Sequence, residues 1–400
     1  MSASAPVSEP GRVRDLNHEE ATLVGQCLDA ARLLARQFET PARPRRRGLL
    51  RSAPLACMAV AAGCAAEPAA SPEGRALVAG CAPMDLHSHA GRVILSRTRA
   101  RALEPVAGPM REGGVALIAL AMVADTPATH VTPDNRIEAF RPPVPGELAS
   151  HAQEAFRRLA TLVAEQGLAV VTDRATLRKA ARPGGGPAVV VAAEGADFLE
   201  GRLDRLEQAF TEHRLRHLQL VHYRVNELGD IQTAPPEHGG LTDFGAEVVR
   251  ACNRLGVVVD LAHGDFWLAK RAADVAARPL VLSHTALSAR PGPRSRLITA
   301  EHARLVAGTD GVIGVWPLVG ATPTLRGYAE SIARMVDVVG IDHVGIGSDM
   351  QGLLGPAAFD DYRQTPALAS AFLSAGFRSP DAVKLLGGNY ARVLEACLMN

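Results

Sequence analysis

From residue 83 onward the chain alternates short apolar runs with stretches of helical periodicity. The runs are Met84–His89, Val115–Met122, Ala188–Glu194, His217–His222, Val257–His263, Pro279–His284, Val312–Trp316 and His343–Asp349. Several are near-continuous in Val, Ile, Leu and Ala, the composition of strands buried on both faces. The segments between them carry helix signals. Thr242 stands as N-cap before Phe244, Val248, Val249, Cys252 and Leu255, with Gly256 as the C-terminal stop. Thr299 precedes Glu301–Gly308 in the same way, and Ser379–Pro380 reads as N-cap and first helical position of the last helix. This β-α rhythm predicts a parallel sheet. Eight strands over roughly 315 residues predict an α/β fold, a (β/α)8 TIM barrel over residues 81–400. A doubly wound sheet is the alternative, but no G-x-G-x-x-G follows the first strand.

The first 80 residues break the pattern and form an N-terminal extension. One amphipathic helix is expected around Glu19–Phe38. Arg43, Arg45, Arg46 and Arg47 then precede an apolar run, Ser52–Ala66. Arginines before a short apolar stretch resemble a bacterial export signal with a twin-arginine flavour. The run is too short for a comfortable transmembrane helix. "AAGC", ending at Cys64, loosely resembles a lipoprotein processing site. The long leader before the arginines argues against export, and an upstream mis-assigned start codon would explain it. The expectation is an exported protein, periplasmic or attached to a membrane through this segment. The alternative is a cytoplasmic protein with a loosely docked extension. "EPAASPEG" reads as a linker to the barrel.

Composition narrows the partners. A net charge of +1 points to neither nucleic acid nor an acidic membrane surface, and 47% apolar residues suit a sizeable core. The six cysteines form no C-x-x-C, so neither a disulfide framework nor a zinc ribbon is expected. Cys252 and Cys397 fall in apolar helical patterns and are expected in the core.

The chemistry collects at the ends of the runs. His87 and His89 sit two apart, so in a strand they project from one face, with Asp85 below them. Two imidazoles side by side are ready metal ligands. The other runs end in Glu194, His222, His263, His284 and Asp349. In a barrel these ends share one mouth, where the chemistry of this fold sits. The remaining histidines obey no such rule. His18 is in the leader, and His130, His151, His213, His238 and His302 fall in loops or on helix surfaces. His217 and His343 start strands at the opposite end.

The ordered blocks "MDLHSHAGR", "AAEGADFLEG", "LVHYRVNELGD", "GGLTDFGAEVVRACNRLGVVVDLAH", "LVLSHTAL", "GVIGVW", "GIDHVGIGSDMQG" and "LLGGNYARVLE" resemble the membrane dipeptidase (renal dipeptidase) family of the amidohydrolase superfamily. The resemblance covers residues 83–396. One departure is His87-Ser88-His89, where the family has H-x-D. An imidazole in place of that carboxylate makes the site more positive by one charge. The resemblance implies a binuclear zinc dipeptidase that attacks a peptide bond with a metal-bound hydroxide. His87, His89 and Glu194 would hold one zinc ion, and Glu194, His263 and His284 the second, with Glu194 bridging. Asp349 would take the proton of the attacking water and pass it to the leaving amine. His222 would polarise the scissile carbonyl.

A substrate carboxylate would meet an arginine after the sixth strand. Arg290, Arg294 and Arg296 are the candidates, and the match of "SRLITAEH" favours Arg296. Tyr223, Asn226, Asp230 and Trp316 are expected to line the pocket. The expected partner is a small dipeptide, and family members are often homodimers. The competing readings are a hydrolase of another amide, lactam or lactone on the same barrel, and a catalytically silent binding barrel.

Overall fold

Each predicted run forms a strand in a computed structural model, which describes residues 69–96, 101–320 and 323–400. The strands are β1 (Met84–Ser88), β2 (Leu117–Val123), β3 (Ala188–Glu194), β4 (Leu215–Gln219), β5 (Val258–Asp260), β6 (Val281–Thr285), β7 (Val312–Val315) and β8 (Val344–Ile346). All pair in parallel with their neighbours in chain order, and β1 pairs with β8, which closes the ring. The central strands are buried on both faces, β2 and β3 along their whole length. That burial is why their sequences do not alternate. The fold is the (β/α)8 barrel.

The helices around it follow their caps. The Thr242 side chain accepts from Gly245 N at the start of helix Asp243–Leu255, and Gly256 ends it with a left-handed φ of 77°. This helix buries Val248, Val249 and Cys252, and Cys397 is buried likewise. Thr299 caps Ala300–Ala307 by accepting from His302 N.

Five expectations are corrected. The helix Ser379–Val383 has Arg378, not Ser379, at its N-cap, so Ser379 lies inside it. The second half of the presumed linker is ordered. Ser71 caps a helix Pro72–Ala79, which packs on helix Thr365–Ser374 with Ser71 N 2.9 Å from Ser370 Oγ. His217 does not start β4 at the far rim. It is its third residue, buried, with Nε2 3.1 Å from Asp260 Oδ2 and Nδ1 2.8 Å from the Tyr390 hydroxyl. His302 lies on a helix but on its buried side. Finally, β4, β5 and β8 stop short of the residues expected at their ends. His222, His263 and Asp349 lie three residues beyond the last paired residue of their strands. Near β5 and β8 the backbone amides of Ala262 and Ser348 bond to carboxylates rather than to the ladder.

The Glu19–Phe38 segment, the arginine cluster, the Ser52–Ala66 run and Cys64 lie outside the described residues. Among the described residues no helix is long and apolar enough to cross a membrane.

Candidate metal centre

Glu194, the last residue of β3, is the hub of the barrel mouth. Its Oε1 lies 3.4 Å from His87 Nε2, 3.2 Å from His263 Nε2 and 3.5 Å from His284 Nε2. Its Oε2 lies 3.1 Å from His89 Nε2 and 3.3 Å from His222 Nε2. Asp349 Oδ1 completes the ring, 3.5 Å from His89 Nε2 and 3.9 Å from His87 Nε2. All seven side chains are buried. Thus β1, β3 and β6, with the residue just past β1, bring His87, His89, Glu194 and His284 to the mouth, and the turns after β4, β5 and β8 bring His222, His263 and Asp349.

Two of these residues hold unusual backbone. His263 has φ 68° and Asp349 φ 48°. Such left-handed conformations cost a non-glycine residue about 1–3 kcal/mol and persist where the surroundings over-determine them. They turn both side chains back over the mouth.

The electrostatics divide the cluster into charged and neutral members. Burial opposes a charge on Glu194, yet His222, His87 and His89 outweigh it and hold the carboxyl well below the usual range. Burial also opposes a charge on His87 and on His222. The Glu194 carboxylate raises the first to about 9, and Asp125 with Glu194 raises the second to about 9. Burial pushes the Asp349 carboxyl up to about 6. His263 and His284 are driven well down, chiefly by burial.

The donor set fits a divalent metal. His87 Nε2 and His89 Nε2 face each other at 3.1 Å, and His263 Nε2 and His284 Nε2 at 3.0 Å. A shared cation satisfies two such lone pairs. The outer nitrogens of His89, His222 and His284 are held, as ligating histidines usually are, whereas His263 Nδ1 is buried without a partner among the described residues. His89 Nδ1 bonds to Ala121 O at 2.8 Å, His222 Nδ1 to Asp125 Oδ1 at 2.7 Å, and His284 Nδ1 to Ser283 Oγ at 2.9 Å. Three groups of metal-capable atoms fall within a ligand's reach of one another: His87, His89 and Asp349; His87, Glu194 and His284; and Glu194, His222 and His263. Imidazole with carboxylate is the chemistry of zinc and its first-row neighbours.

Beside the cluster lies Arg296. Its guanidinium donates to Gln232 Oε1 and, at 3.3 Å, to His284 O, and it stands 5.6 Å from the Trp316 ring. The Tyr223 ring sits 4.6 Å from His222 and 4.7 Å from His263. Arg294 instead pairs with Glu138 at the rim, and Arg290 is exposed. Asn226 and Asp230 spend their polar atoms on the loop itself. Asn226 bonds to Asp197 Oδ2, Leu220 O and Leu228 N. Asp230 accepts from the amides of Glu237, His238 and Gly240. The structure therefore gathers the seven strand-end residues, Arg296, Tyr223 and Trp316, and it leaves Asn226 and Asp230 as supports of the loop.

Sequence reasoning overlooked three residues. Asp125 holds His222, and the signal was available: it is the first charged residue after the apolar run of β2. Asp260 is a carboxylate inside "VVVDLAH", an apolar run that should carry none without a purpose. Gln232, which orients Arg296, has no signal in the sequence.

Comparison with known proteins gives the family and the fold. The membrane dipeptidase family (peptidase family M19) matches residues 110–398. Dipeptidase aclJ of Aspergillus oryzae is 30% identical over 194 residues, 46% of either chain. The chain spans about half the length of the curated relatives it matches. An amidohydrolase of Pseudomonas aeruginosa superposes with a TM-score of 0.65 at 21% identity, covering 81% of this chain and 99% of the other. A metallopeptidase of Rhodobacter sphaeroides, solved with a phosphinate mimic of the dipeptide L-Ala-D-Ala, superposes with a TM-score of 0.63 at 23% identity, covering 79% and 99%. At these identities the two structures speak for the fold.

Proposed function

This chain belongs to the membrane dipeptidase family, and from that premise we propose that it is a binuclear zinc dipeptidase. One observation carries the reading: a single buried carboxylate, Glu194, within 3.1–3.5 Å of five imidazole nitrogens. His87, His89 and Glu194 would hold one ion, and Glu194, His263 and His284 the other. Two divalent cations held there would supply Lewis acidity and a lowered pKa for water. The remaining work belongs to the chain's own groups.

Arg296 receives the substrate carboxylate, its planar fork held by Gln232 and by His284 O. Trp316 and Tyr223 wall the same side. His222, its Nδ1 held by Asp125, donates from Nε2 to the scissile carbonyl oxygen as negative charge develops there. Asp349, at about 6, accepts a proton from the attacking water and delivers it to the leaving amine. Burial of the whole group excludes bulk water and strengthens each of these interactions.

The test is zinc content of purified protein beside amine release from L,L- and L,D-dipeptides. L-Ala-D-Ala is the first substrate to try, since its mimic binds the Rhodobacter sphaeroides enzyme. Two ions per chain with activity lost to a chelator and restored by zinc support the reading. Full activity in metal-free protein overturns it. An Arg296→Ala variant separates substrates: loss on dipeptides but not on their amidated counterparts marks a carboxylate-directed enzyme, and equal activity on both favours another amide. Export is proposed on the leader alone, Arg43–Arg47 before Ser52–Ala66; cell fractionation that finds the chain wholly in the cytoplasm rejects it.

A further inference from the structure

Two buried carboxylates beneath the histidine cluster take no part in the chemistry above, and they are built alike. Asp85, on β1, accepts through Oδ1 from His87 N at 3.3 Å and from Ser348 N at 2.9 Å. Asp260, the last residue of β5, accepts through Oδ1 from Ala262 N and from Ser283 N, both at 3.0 Å. In each case the first amide lies two residues further along the chain. The second comes from the neighbouring strand or the turn just past it, one residue before a site residue: Ser348 precedes Asp349, and Ser283 precedes His284. The other oxygen is held by side-chain donors. Asp85 Oδ2 meets the Ser348 hydroxyl and, at 2.8 Å, the Tyr362 hydroxyl. Asp260 Oδ2 meets His217 Nε2 at 3.1 Å.

The arrangement does mechanical work. Strand ends that splay at a barrel mouth leave amides without ladder partners, and an unpaired buried amide is costly. A carboxylate offers several lone pairs and makes charge-assisted bonds. One oxygen that holds two amides fixes two strand ends against each other. Asp85 thereby ties His87 to the turn of Asp349. Asp260 ties the turn of His263 to the strand of His284. The two left-handed residues, His263 and Asp349, each follow a clamped amide directly. These are the positions where the backbone would otherwise relax.

We infer that Asp85 and Asp260 are positioning residues that preset the two halves of the metal centre separately, Asp85 the His87/Asp349 half and Asp260 the His263/His284 half. The inference rests on the metal-centre reading above.

The test uses the full chain. Zinc is titrated into metal-free wild type, Asp260→Ala and Asp260→Asn against a competing chelator, with melting temperature and dipeptide kcat/KM alongside. Asparagine keeps an oxygen for both amides, whereas alanine removes the clamp. For Asp260→Ala we expect one ion held as in wild type and the other weakened roughly 10- to 100-fold, the usual range for a lost outer partner of a ligand. Asp260→Asn should bind that ion at least about tenfold more tightly than Asp260→Ala. In a His284→Ala background, Asp260→Ala should then add nothing, while Asp85→Ala should weaken the ion that remains.

Equal zinc affinities for the alanine and asparagine variants, or for the alanine variant and wild type, overturn the inference. If Asp260→Ala does not fold, Asp260→Asn decides: two ions retained support the clamp, and one ion lost rejects it. Wild type that binds no zinc overturns the metal reading itself, an outcome distinct from variants that match a zinc-loaded wild type.

Discussion

Asp125→Asn is the sharpest single perturbation of the proposed chemistry. Asp125 is fully buried and uses both oxygens, one on His222 Nδ1 at 2.7 Å and one on Tyr223 N at 3.0 Å. Asparagine has the same shape but a single acceptor. If that oxygen stays on His222, the amide nitrogen confronts Tyr223 N–H and leaves a buried donor unpaired. If it turns to Tyr223, the new amide donates to His222 Nδ1 and the imidazole must take the other tautomer. Either way the negative charge that helps hold His222 at about 9 against burial is gone. A buried hydrogen bond to a charged group contributes about 1.5–3 kcal/mol. If that difference is felt only as the carbonyl oxygen gains charge, kcat/KM falls roughly 10- to 150-fold. The loss should appear in kcat, with zinc content unchanged, because Asp125 touches neither member of the proposed ligand sets except through His222. The assay is steady-state hydrolysis of one dipeptide at saturating zinc, with elemental analysis of the same sample. A fully zinc-loaded Asp125→Asn enzyme with kcat within about twofold of wild type would refute the role given to His222.

Three further outcomes are expected. Gln232→Leu removes the acceptor that orients Arg296, so KM for dipeptides should rise about tenfold with little change in kcat; an unchanged KM would deny Arg296 its part in binding. Gly347→Ala would put a methyl 1.8 Å from Ser283 O, a backbone atom that cannot swing aside. Overpacking of this kind costs about 1–3 kcal/mol, so a scan should show a lower melting temperature and reduced zinc content, and an unaltered melting curve would contradict the close packing. His302 is buried with its Nε2 unpartnered, and burial lowers it to about 4. The unfolded chain binds that proton below its ordinary value of about 6.5, so stability should fall as pH drops from about 6.5 to about 4, by up to about 3 kcal/mol. His302→Leu should flatten the melting temperature across that window; a slope identical to wild type would mean other groups set it.

Much of the barrel was legible because burial on both faces leaves a signature in composition. Every apolar run became a strand, and the capped helix after Thr242 begins and ends where its residues say. Strand ends were less legible. The run "VVVDLAH" is apolar to its last residues, yet pairing stops at Asp260. Hydropathy registers burial, and burial continues past the ladder into the turn that lifts His263 over the mouth. The N-cap misplaced at Ser379 has a related cause. Ser-Pro suits both an N-cap with its first turn and the first turn alone, and only the backbone at Arg378 separates them.

The chain by itself determined which side chains could meet. Parallel strands in sequence order close one way, so residues at the ends of their runs must share a rim, and His87, His89, Glu194, His222, His263, His284 and Asp349 do. Tertiary structure alone decided what orients them. Asp125 reaches His222 across 97 positions, Asp85 reaches Ser348 across 263, and Gln232 reaches Arg296 across 64. No local pattern encodes such a pairing. A ligand's residue type follows from the chemistry it must perform, and that is written at its own position. Its direction follows from whichever distant group happens to lie within hydrogen-bond reach once the barrel has closed.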